Sequence, residues 1–354
     1  MHVAIVGFPY AGKTAVFAAL SGIPRERMKA AAENLAAVHV PEPRLDFLFD
    51  LFRPKRKTEA TIEFVDLPGS AEGEDAQAGL TKHLPTLRQS DALVVVLRGF
   101  TSESVPKHAD RIDPARDVRE FRDEMLLADL EICAARIQKL EKAVTKPTKD
   151  QDLLRQELEL LRRCVDTLER EKPLRALVRP GPEEKLLRSF GLLTLKPVIL
   201  IINVDEDAIG QEPPFRAEQA AATFTLCASL EADLIQMDPA DRPAFMAEYG
   251  VRALARDRII RACFDALGLI VFFTGGGPDE VRAWPVQRGT TAVEAAGKIH
   301  SDIERGFIRA ETVAYADLLA TGCMREAKAA GKIRLEHKGY VVQDGDLITF
   351  KFSV

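Results

Sequence analysis

One stretch near the start of the chain carries the clearest chemistry, GFPYAGKT at positions 7–14. Gly7, Gly12, Lys13 and Thr14 fit the pattern G-x-x-x-x-G-K-[ST], in which backbone N–H groups surround phosphates, the lysine reaches the β- and γ-phosphates and the hydroxyl binds Mg²⁺. A strand-like run, VAIV, leads in and a helical run, KTAVFAALSG, leads out, so the positive end of the helix faces the anion. The sequence therefore predicts a nucleotide site at this junction; a glycine-rich turn without a ligand is the alternative.

The nucleotide is expected to contact the whole loop and the first helical turn. These positions are Gly7, Phe8, Pro9, Tyr10, Ala11, Gly12, Lys13, Thr14 and Ala15. Tyr10 stands out because it places a bulky ring close to the phosphates. We expect its ring either to cover the phosphates or to stack near the ribose.

A second element, DLPG at 66–69, follows the strand-like run TIEFV. Asp66 can hold Mg²⁺ through water, and the N–H of Gly69 can sense the γ-phosphate. D-x-x-G alone is usually a turn, but its place at the end of the strand after the loop-and-helix unit is typical of a nucleotide switch. We therefore predict Lys13 and Gly69 as the groups that stabilise γ-phosphate charge, and Thr14 with Asp66 as the Mg²⁺ ligands.

A third element, NVDE at 203–206, follows the apolar run VILII. Guanine-specific proteins place N-K-x-D here, and the aspartate accepts two hydrogen bonds from guanine. Glu206 carries its carboxylate one methylene further, and sites built on a hydrogen-bond pattern reject mismatches by up to ~10⁴–10⁵. The sequence therefore predicts a pocket that prefers adenine, with an acidic surface loop and a GTP-specific site as the alternatives. Its predicted lining is Asn203, Val204, Glu206, Ala228 and Ser229.

The apolar runs that carry these motifs predict the fold class. VAIV (3–6), TIEFV (61–65), ALVVVL (92–97), VILII (198–202) and TFTLCA (223–228) are short and nearly continuous. Such runs are typical of parallel strands covered by helices on both faces, the α/β doubly wound class, whose ligands bind at the carboxyl ends of the strands. The three motifs stand at such ends.

The gap between ALVVVL and VILII is far longer than a strand–helix connection needs. Asp113-Pro114 predicts the start of a helix. Beyond it, apolar residues recur at four- and three-residue intervals over 126–144 and, after the polar TKPTKDQD, over 154–168. Two such seams predict an inserted antiparallel helical hairpin, a coiled coil within 123–189. Packing of both helices on the sheet is the alternative, since any amphipathic helix shows this pattern.

The last part of the chain predicts a small α+β module over 277–354. VRAWPVQ predicts a strand, Thr290 and Thr291 are candidate caps of the next helix, and YVV, QDGD and LITFKF predict a hairpin with Asp-Gly at its tip. Residues 1–122 and 190–276 then form the predicted nucleotide-binding domain.

Composition narrows the function classes. With 46% hydrophobic residues, 29% charged residues and a formal charge of −5, the chain is unlike a wholly basic nucleic-acid-binding protein, and we predict no DNA partner. Its five cysteines lack C-x-x-C spacing, which favours reduced thiols in the cytosol. We see no secretory leader in MHVAIVGF and no uncharged run long enough to span a bilayer. We therefore expect a cytoplasmic protein without a membrane partner.

The three motifs, the hairpin inserted before NVDE and the terminal module together resemble the Obg-like ATPases of the YchF type, a subfamily of P-loop GTPases. Segments such as VPEPRLDFLFDLFRP, TLKPVILIINVDED and VVQDGDLITFKF also resemble that family, and the resemblance covers essentially the whole length. It implies a P-loop G domain, a coiled-coil insertion and a C-terminal TGS domain of β-grasp shape. It also implies a preference for ATP over GTP, Mg²⁺, slow hydrolysis, and association with the ribosome or its RNA through the hairpin and TGS domain.

Three positions depart from the family pattern. Tyr10 stands where the family usually has asparagine. The segment 22–57 has no Ser or Thr, whereas switch I normally offers a threonine to Mg²⁺. Ser70 follows D-x-x-G and is too short to orient an attacking water as glutamine does in related enzymes. Loss of one preorganised group costs ~10²–10³ in rate, so these departures predict a site that binds ATP and hydrolyses it poorly.

Two functions therefore compete. One is an ATP-binding, weakly hydrolysing switch protein acting on the translation machinery. The other is a non-catalytic, nucleotide-gated binding module that has lost hydrolysis. The terminal module gives no strong RNA-binding footprint to separate them, because its basic residues alternate with acids. These basic residues are Arg282, Arg288, Lys298, Arg305 and Arg309.

Overall fold

A computed structural model describes residues 1–29, 32–67, 81–145, 150–179, 181–215, 217 and 219–353. Its strands are β1 (His2–Val6), β2 (Asn34–His39), β3 (Arg56–Thr58), β4 (Thr61–Asp66), β5 (Ala92–Arg98), β6 (Val198–Asn203), β7 (Ala222–Leu226), β8 (Leu269–Thr274), β9 (Glu280–Gln287), β10 (Phe307–Ala314), β11 (Arg334–Glu336) and β12 (Asp346–Phe352). Its helices are α1 (Lys13–Ser21), α2 (Pro43–Phe52), α3 (Leu84–Gln89), α4 (Pro114–Ala143), α5 (Gln151–Glu169), α6 (Pro182–Leu187), α7 (Ala228–Gln236), α8 (Arg242–Glu248), α9 (Ala255–Ala266), α10 (Ala292–Ile299), α11 (Ser301–Arg305), α12 (Tyr315–Thr321) and α13 (Met324–Ala329).

The chain divides into two compact units. One consists of Met1–Ala37 and Glu63–Ile259, the other of Val38–Ile62 and Ile260–Val354. The predicted α/β P-loop fold class is confirmed. The domain limits given above, 1–122 with 190–276, 123–189 and 277–354, stay predictions.

The first unit is built on a six-stranded sheet in the order β2-β4-β1-β5-β6-β7. β1 runs parallel to β4 and β5, β5 runs parallel to β6, and β6 runs parallel to β7. Every residue of β5 is buried, as its continuous apolar run predicts for a strand covered on both faces. The strand order reverses between β1 and β5, which opens a crevice at the carboxyl ends of these strands.

Helices α4 and α5 form the predicted antiparallel hairpin. Its register is fixed by ion pairs between Arg136 and Glu157 at 2.7 Å and between Arg162 and Glu141 at 2.9 Å. As predicted, α4 begins at Pro114, and the carboxylate of Asp113 accepts a hydrogen bond from the Arg116 N–H at 3.0 Å.

The two ends of α4 pack against different parts of the first unit. Near its start, Phe121 and Met125 lie in the core of the sheet. Further along, Leu126, Cys133 and Leu140 pack with residues of α5. The apolar seam of α4 therefore contains both arrangements that the sequence allowed, sheet packing first and hairpin packing after it.

A buried carboxylate, Asp129, fixes the root of the hairpin. It accepts hydrogen bonds from the N–H of Leu193 at 2.9 Å, from the N–H and Oγ1 of Thr194 at 2.8 Å each, and from Arg88 Nη1 at 3.3 Å. Both carboxylate oxygens thus have partners, which is the condition for burying a charge at low cost.

The second unit has a six-stranded sheet in the order β11-β10-β12-β8-β9-β3. β12 runs parallel to β8 and antiparallel to β10, as in a β-grasp fold. Helix α10 begins with a capping box, as Thr291 suggested, in which Thr291 and Glu294 satisfy each other's backbone N–H groups. Ala292 and Ala295 of α10 pack in the apolar core of this unit.

The predicted hairpin of YVV and LITFKF is wrong. β12 pairs with β10 and β8, and residues 340–342 contribute only an isolated bridge from Val341 to Thr291. The Asp346 carboxylate explains the difference, because it accepts hydrogen bonds from the N–H of Gln343 at 2.9 Å and the hydroxyl of Tyr340 at 2.8 Å. These bonds close a turn before β12 and leave that strand free to enter the middle of the sheet.

Among the helices of the described ranges, none has the length and apolar character that crossing a bilayer requires.

Candidate nucleotide-binding site

The loop of residues 7–12 joins β1 to α1 at the crevice of the first sheet. Gly12 caps α1 with φ +90°, and a Cβ there would lie 2.2 Å from Asn203 Nδ2. Gly7 has φ +146°, and a Cβ there would lie 2.3 Å from the carbonyl oxygen of Val96. Both positions therefore exclude a side chain, which explains why the sequence places glycine at each. A helix N-terminus that follows such a loop is suited to bind phosphate.

Lys13 folds back onto this loop. Its Nζ donates hydrogen bonds to the carbonyl oxygens of Gly7 at 3.1 Å and Phe8 at 3.3 Å. Burial lowers the pKa of Lys13, and the nearby Asp66 carboxylate opposes that shift. A poorly solvated ammonium next to backbone oxygens gains more from a phosphate than a hydrated lysine does.

Asp66 at the end of β4 meets Thr14 and an unpredicted residue, Asn34. Thr14 Oγ1 donates to Asp66 Oδ2 at 3.0 Å, and Asn34 Nδ2 donates to the same oxygen at 3.3 Å. Asp66 Oδ1 is buried, and within the described part of the chain it has no hydrogen-bond partner. Burial raises the pKa of Asp66, and hydrogen bonds from Thr14 and Asn34 and the charge of Lys13 oppose the shift. A partnerless carboxylate oxygen beside a hydroxyl fits a hard cation such as Mg²⁺.

Asn203 connects the loop to the predicted base pocket. Its Nδ2 donates to the carbonyl oxygen of Ala11 at 3.1 Å, and its Oδ1 accepts from the N–H of Ala228 at 3.1 Å. Val204 is buried beside it, and Ser229 follows Ala228 in the first turn of α7. Four of the five predicted base-pocket residues therefore lie at neighbouring ends of β6 and β7.

The fifth base-pocket residue, Glu206, is exposed at the start of a short 3₁₀ turn. The preceding acid, Asp205, is already engaged, because its Oδ2 accepts hydrogen bonds from the N–H and Oγ1 of Thr101, each at 2.8 Å. Glu206 is therefore the acid of NVDE that projects into solvent, where a base can meet it. The bond between Asp205 and Thr101 could not be read from the motif, since the two residues are far apart in sequence.

The remaining loop residues differ in exposure. Phe8 is buried and stacks on His108 with ring centroids 4.0 Å apart, and Ala11 is buried. Pro9 and Ala15 are half-buried. Tyr10 is 47% exposed and has φ +63°, a left-handed backbone conformation that favours glycine. Its ring is therefore directed to solvent rather than packed within the protein.

Gly69 and Ser70 lie outside the described residues. The proposed γ-phosphate contact from Gly69 and the consequence of Ser70 stay predictions. Of the residues predicted to hold phosphate and metal, the structure brings together Lys13, Thr14 and Asp66, and it adds Asn34.

Comparisons with known proteins agree on one family. A family model described as "50S ribosome-binding GTPase" matches residues 2–129, and the YchF GTPase C-terminal model, described as a protein of unknown function, matches residues 269–353. The chain is 38% identical to the ribosome-binding ATPase YchF of Bacillus subtilis, over 99% of this chain and 98% of that protein. It is 36% identical to Obg-like ATPase 1 of Oryza sativa, over 100% of this chain and 92% of that protein. The solved structure of the Schizosaccharomyces pombe YchF GTPase matches with a TM-score of 0.84 at 26% identity, over 99% of this chain and 97% of that one.

Proposed function

The chain belongs to the YchF family of Obg-like ATPases, and from this premise we propose that it binds ATP with Mg²⁺ where β1 meets α1, hydrolyses it slowly, and associates with the ribosome. One observation carries the proposal. A poorly solvated lysine, a hydroxyl and a buried carboxylate converge at the crevice of the sheet, and one carboxylate oxygen is left without a partner among the described residues. Such an arrangement is costly unless a ligand completes it.

Phosphate binding follows from the loop and its lysine. Backbone N–H groups at the start of α1 attract phosphate oxygens. Lys13 exchanges the carbonyl oxygens of Gly7 and Phe8 for oxygens of the β- and γ-phosphates, and the anion compensates its burial. Thr14 and Asp66 would hold Mg²⁺, which would supply positive charge to neutralise the phosphates.

Hydrolysis requires that charge on the γ-phosphate be stabilised as water attacks. Among the described residues Lys13 is placed to do this, and Gly69 is the second group we propose. Slow turnover is supported by two features of the sequence, the absence of Ser and Thr in 22–57 and the short side chain of Ser70. With serine at position 70 in place of a glutamine that orients water, the rate depends mainly on charge stabilisation.

A preference for adenine over guanine is supported by the state of the two acids in NVDE. Asp205 is held by Thr101, so it is not free to pair with a base. The carboxylate of Glu206 is exposed and, among the described residues, makes no hydrogen bond or ion pair. It lies one methylene further out than the aspartate that recognises guanine. Calorimetric titration with ATP and with GTP in Mg²⁺ tests this, and tighter binding of GTP would contradict it.

A non-catalytic, nucleotide-gated module is the second candidate. The exposed ring of Tyr10 beside the phosphate site favours it, because this position usually carries asparagine in the family. Single-turnover hydrolysis of ATP with and without ribosomes separates the two candidates. Phosphate release above the buffer rate, and dependent on Lys13, supports the ATPase; release at the buffer rate in every condition leaves only the module.

Ribosome association and a cytoplasmic location are supported by the names of the relatives, which describe ribosome-binding ATPases. We propose the hairpin of α4 and α5 and the C-terminal unit as the surfaces that contact the ribosome or its RNA. Co-sedimentation with ribosomes in ATP and in ADP tests this, and absence from the ribosomal pellet with both nucleotides would contradict it.

A further inference from the structure

We propose that Asn34 is a positioning residue for the metal site. Its side chain holds the carboxylate of Asp66 so that Oδ1 is presented to Mg²⁺ or to one of its waters. The inference rests on the ATP and Mg²⁺ site proposed above and adds a residue to it. Asn34 is the first residue of β2 and lies within segment 22–57, which contains no Ser or Thr that could bind the metal directly.

The side chain of Asn34 makes contacts in two directions. On one side it bonds the backbone of Lys29, where Oδ1 accepts from the N–H at 2.9 Å and Nδ2 donates to the carbonyl oxygen at 3.1 Å. On the other side Nδ2 donates to Asp66 Oδ2 at 3.3 Å. One carboxamide therefore links the backbone of Lys29 to the carboxylate that ends β4.

The two donors on Asp66 converge on a single oxygen. Thr14 Oγ1 and Asn34 Nδ2 both point to Oδ2, at 3.0 and 3.3 Å, while Oδ1 is buried and lacks a partner in the described ranges. Two donors from different elements fix the rotation of the carboxylate. Oδ1 is then the free acceptor, as a cation or its water requires.

The choice of asparagine follows from the same chemistry. Thr14 can offer a lone pair to the metal and still donate its proton to Asp66, so its bond persists when the metal is bound. Asn34 donates from a neutral group, which adds no second negative charge beside a buried carboxylate. It acts through Asp66 rather than on the metal, which distinguishes it from a switch I threonine.

The test compares ATP affinity in Mg²⁺ with ATP affinity in EDTA, measured by calorimetry on the full chain. For Asn34→Ala we expect the gain in affinity that Mg²⁺ gives to fall about 10- to 100-fold, the range for loss of a group that orients a metal ligand. Affinity in EDTA should stay within about 2-fold of the parent protein, since the loop and Lys13 are unchanged. Leu35→Ala is the matched control, because Leu35 is the next residue, is 58% exposed and offers no polar group.

Asn34→Asp is the second variant and separates positioning from a merely structural role. It keeps the oxygen that accepts from the Lys29 N–H, loses the donor to both the Lys29 carbonyl oxygen and Asp66, and places two carboxylates together. We expect a lower Tm than the parent in EDTA and a larger rise of Tm on adding Mg²⁺, whereas Asn34→Ala shows a smaller rise than the parent.

Two results overturn the inference in different ways. If the parent gains ATP affinity from Mg²⁺ and Asn34→Ala gains equally, Asn34 has no part in the metal site and the proposed function stands. If the parent gains nothing from Mg²⁺, the ATP and Mg²⁺ site itself is wrong and the inference falls with it.

Discussion

Two aspartates of the first unit, Asp66 and Asp129, are equally inaccessible to solvent and have opposite surroundings. Asp129 is 0% exposed and both of its oxygens accept hydrogen bonds, four in total. Asp66 is 1% exposed, and its donors converge on Oδ2, leaving Oδ1 without a partner among the described residues. An unpaired buried polar atom costs free energy, and a carboxylate oxygen costs more than a neutral hydroxyl such as Thr312 Oγ1, which also lacks a partner among the described residues. The satisfied carboxylate marks a structural joint, and the unsatisfied one marks the candidate site.

The backbone of the nucleotide loop is also strained. Tyr10, in the nucleotide loop, has a left-handed backbone without being glycine, a conformation that costs roughly 1–2 kcal/mol. The same backbone conformation occurs at Arg53, Ala109, Asp110 and Glu171, so it does not by itself mark the site. What distinguishes the candidate site is that a strained residue and an unpaired carboxylate oxygen occur together there.

The largest expected effect is on stability, from Asp129→Ala. The substitution leaves two buried N–H groups and the Thr194 hydroxyl without an acceptor and removes the carboxylate that pairs with Arg88. Breaking such a buried charged network costs about 3–5 kcal/mol. Urea unfolding measures the loss, with Asp123→Ala as the control because Asp123 is an exposed aspartate on the same helix. ATP affinity of the folded variant should equal that of the parent. A decrease in the free energy of unfolding of less than about 1 kcal/mol would contradict the structural role of Asp129.

Lys13→Ala should act on chemistry rather than on stability. Loss of the group that stabilises γ-phosphate charge is expected to slow single-turnover hydrolysis by about 10²–10³, or ~3–4 kcal/mol. The unfolding midpoint should not fall, since a buried ammonium with a lowered pKa is removed. Lys107→Ala is a suitable control because Lys107 is exposed. Phosphate release at the parental rate would falsify the catalytic role of Lys13.

Asp66→Asn and Asp129→Asn form the sharpest pair. An amide is cheaper to bury than a carboxylate that lacks a partner, so Asp66→Asn should leave stability in EDTA unchanged or raised, while Asp129→Asn lowers it. The benefit of Mg²⁺ for ATP binding should be lost only in Asp66→Asn, by about 10- to 100-fold. Thermal unfolding and calorimetry measure the two properties. Equal destabilisation by both substitutions would mean that Asp66 is also a structural joint.

Tyr10→Asn should give the smallest effect. Asparagine tolerates the left-handed conformation better than tyrosine, so the free energy of unfolding should rise by up to about 1 kcal/mol. Tyr249→Asn is the control, because that tyrosine is 41% exposed with an ordinary backbone conformation. Denaturant midpoints of the two variants give the comparison. A gain in both, or in neither, would indicate that the loop stores no strain at Tyr10.

The features of the fold and site that could be predicted are those determined by residues close together in the sequence. The motif of Gly7, Gly12, Lys13 and Thr14 lies within one loop and the start of the helix that follows it. The structure gives the steric reason for each glycine. The parallel strands follow from continuous apolar runs, and the start of α4 follows from Asp113-Pro114. Each depends on neighbours in the chain, so local patterns carry the information.

The parts that could not be predicted depend on residues far apart in the chain. Asn34 and Asp66 are 32 positions apart, Thr101 and Asp205 are 104 apart, and Asp129 meets Thr194 at a separation of 65. No spacing rule connects such pairs. The prediction of a hairpin at Asp344-Gly345 was wrong for the same reason, because β12 pairs with strands distant in sequence rather than with the adjacent segment.

One continuous helix, α4, joins two packed regions of the first unit. It has 30 residues and therefore extends about 45 Å. Near its start, Phe121 and Met125 pack in the core of the sheet. In the same part of the helix Glu120 pairs with His108, whose ring stacks on Phe8 of the nucleotide loop. Because α4 is held near its start, a small change in its tilt would displace its other end by a larger distance. From Met125 to the end of α4 is roughly 27 Å, so a rotation of 5° at Met125 would displace that end by about 2 Å.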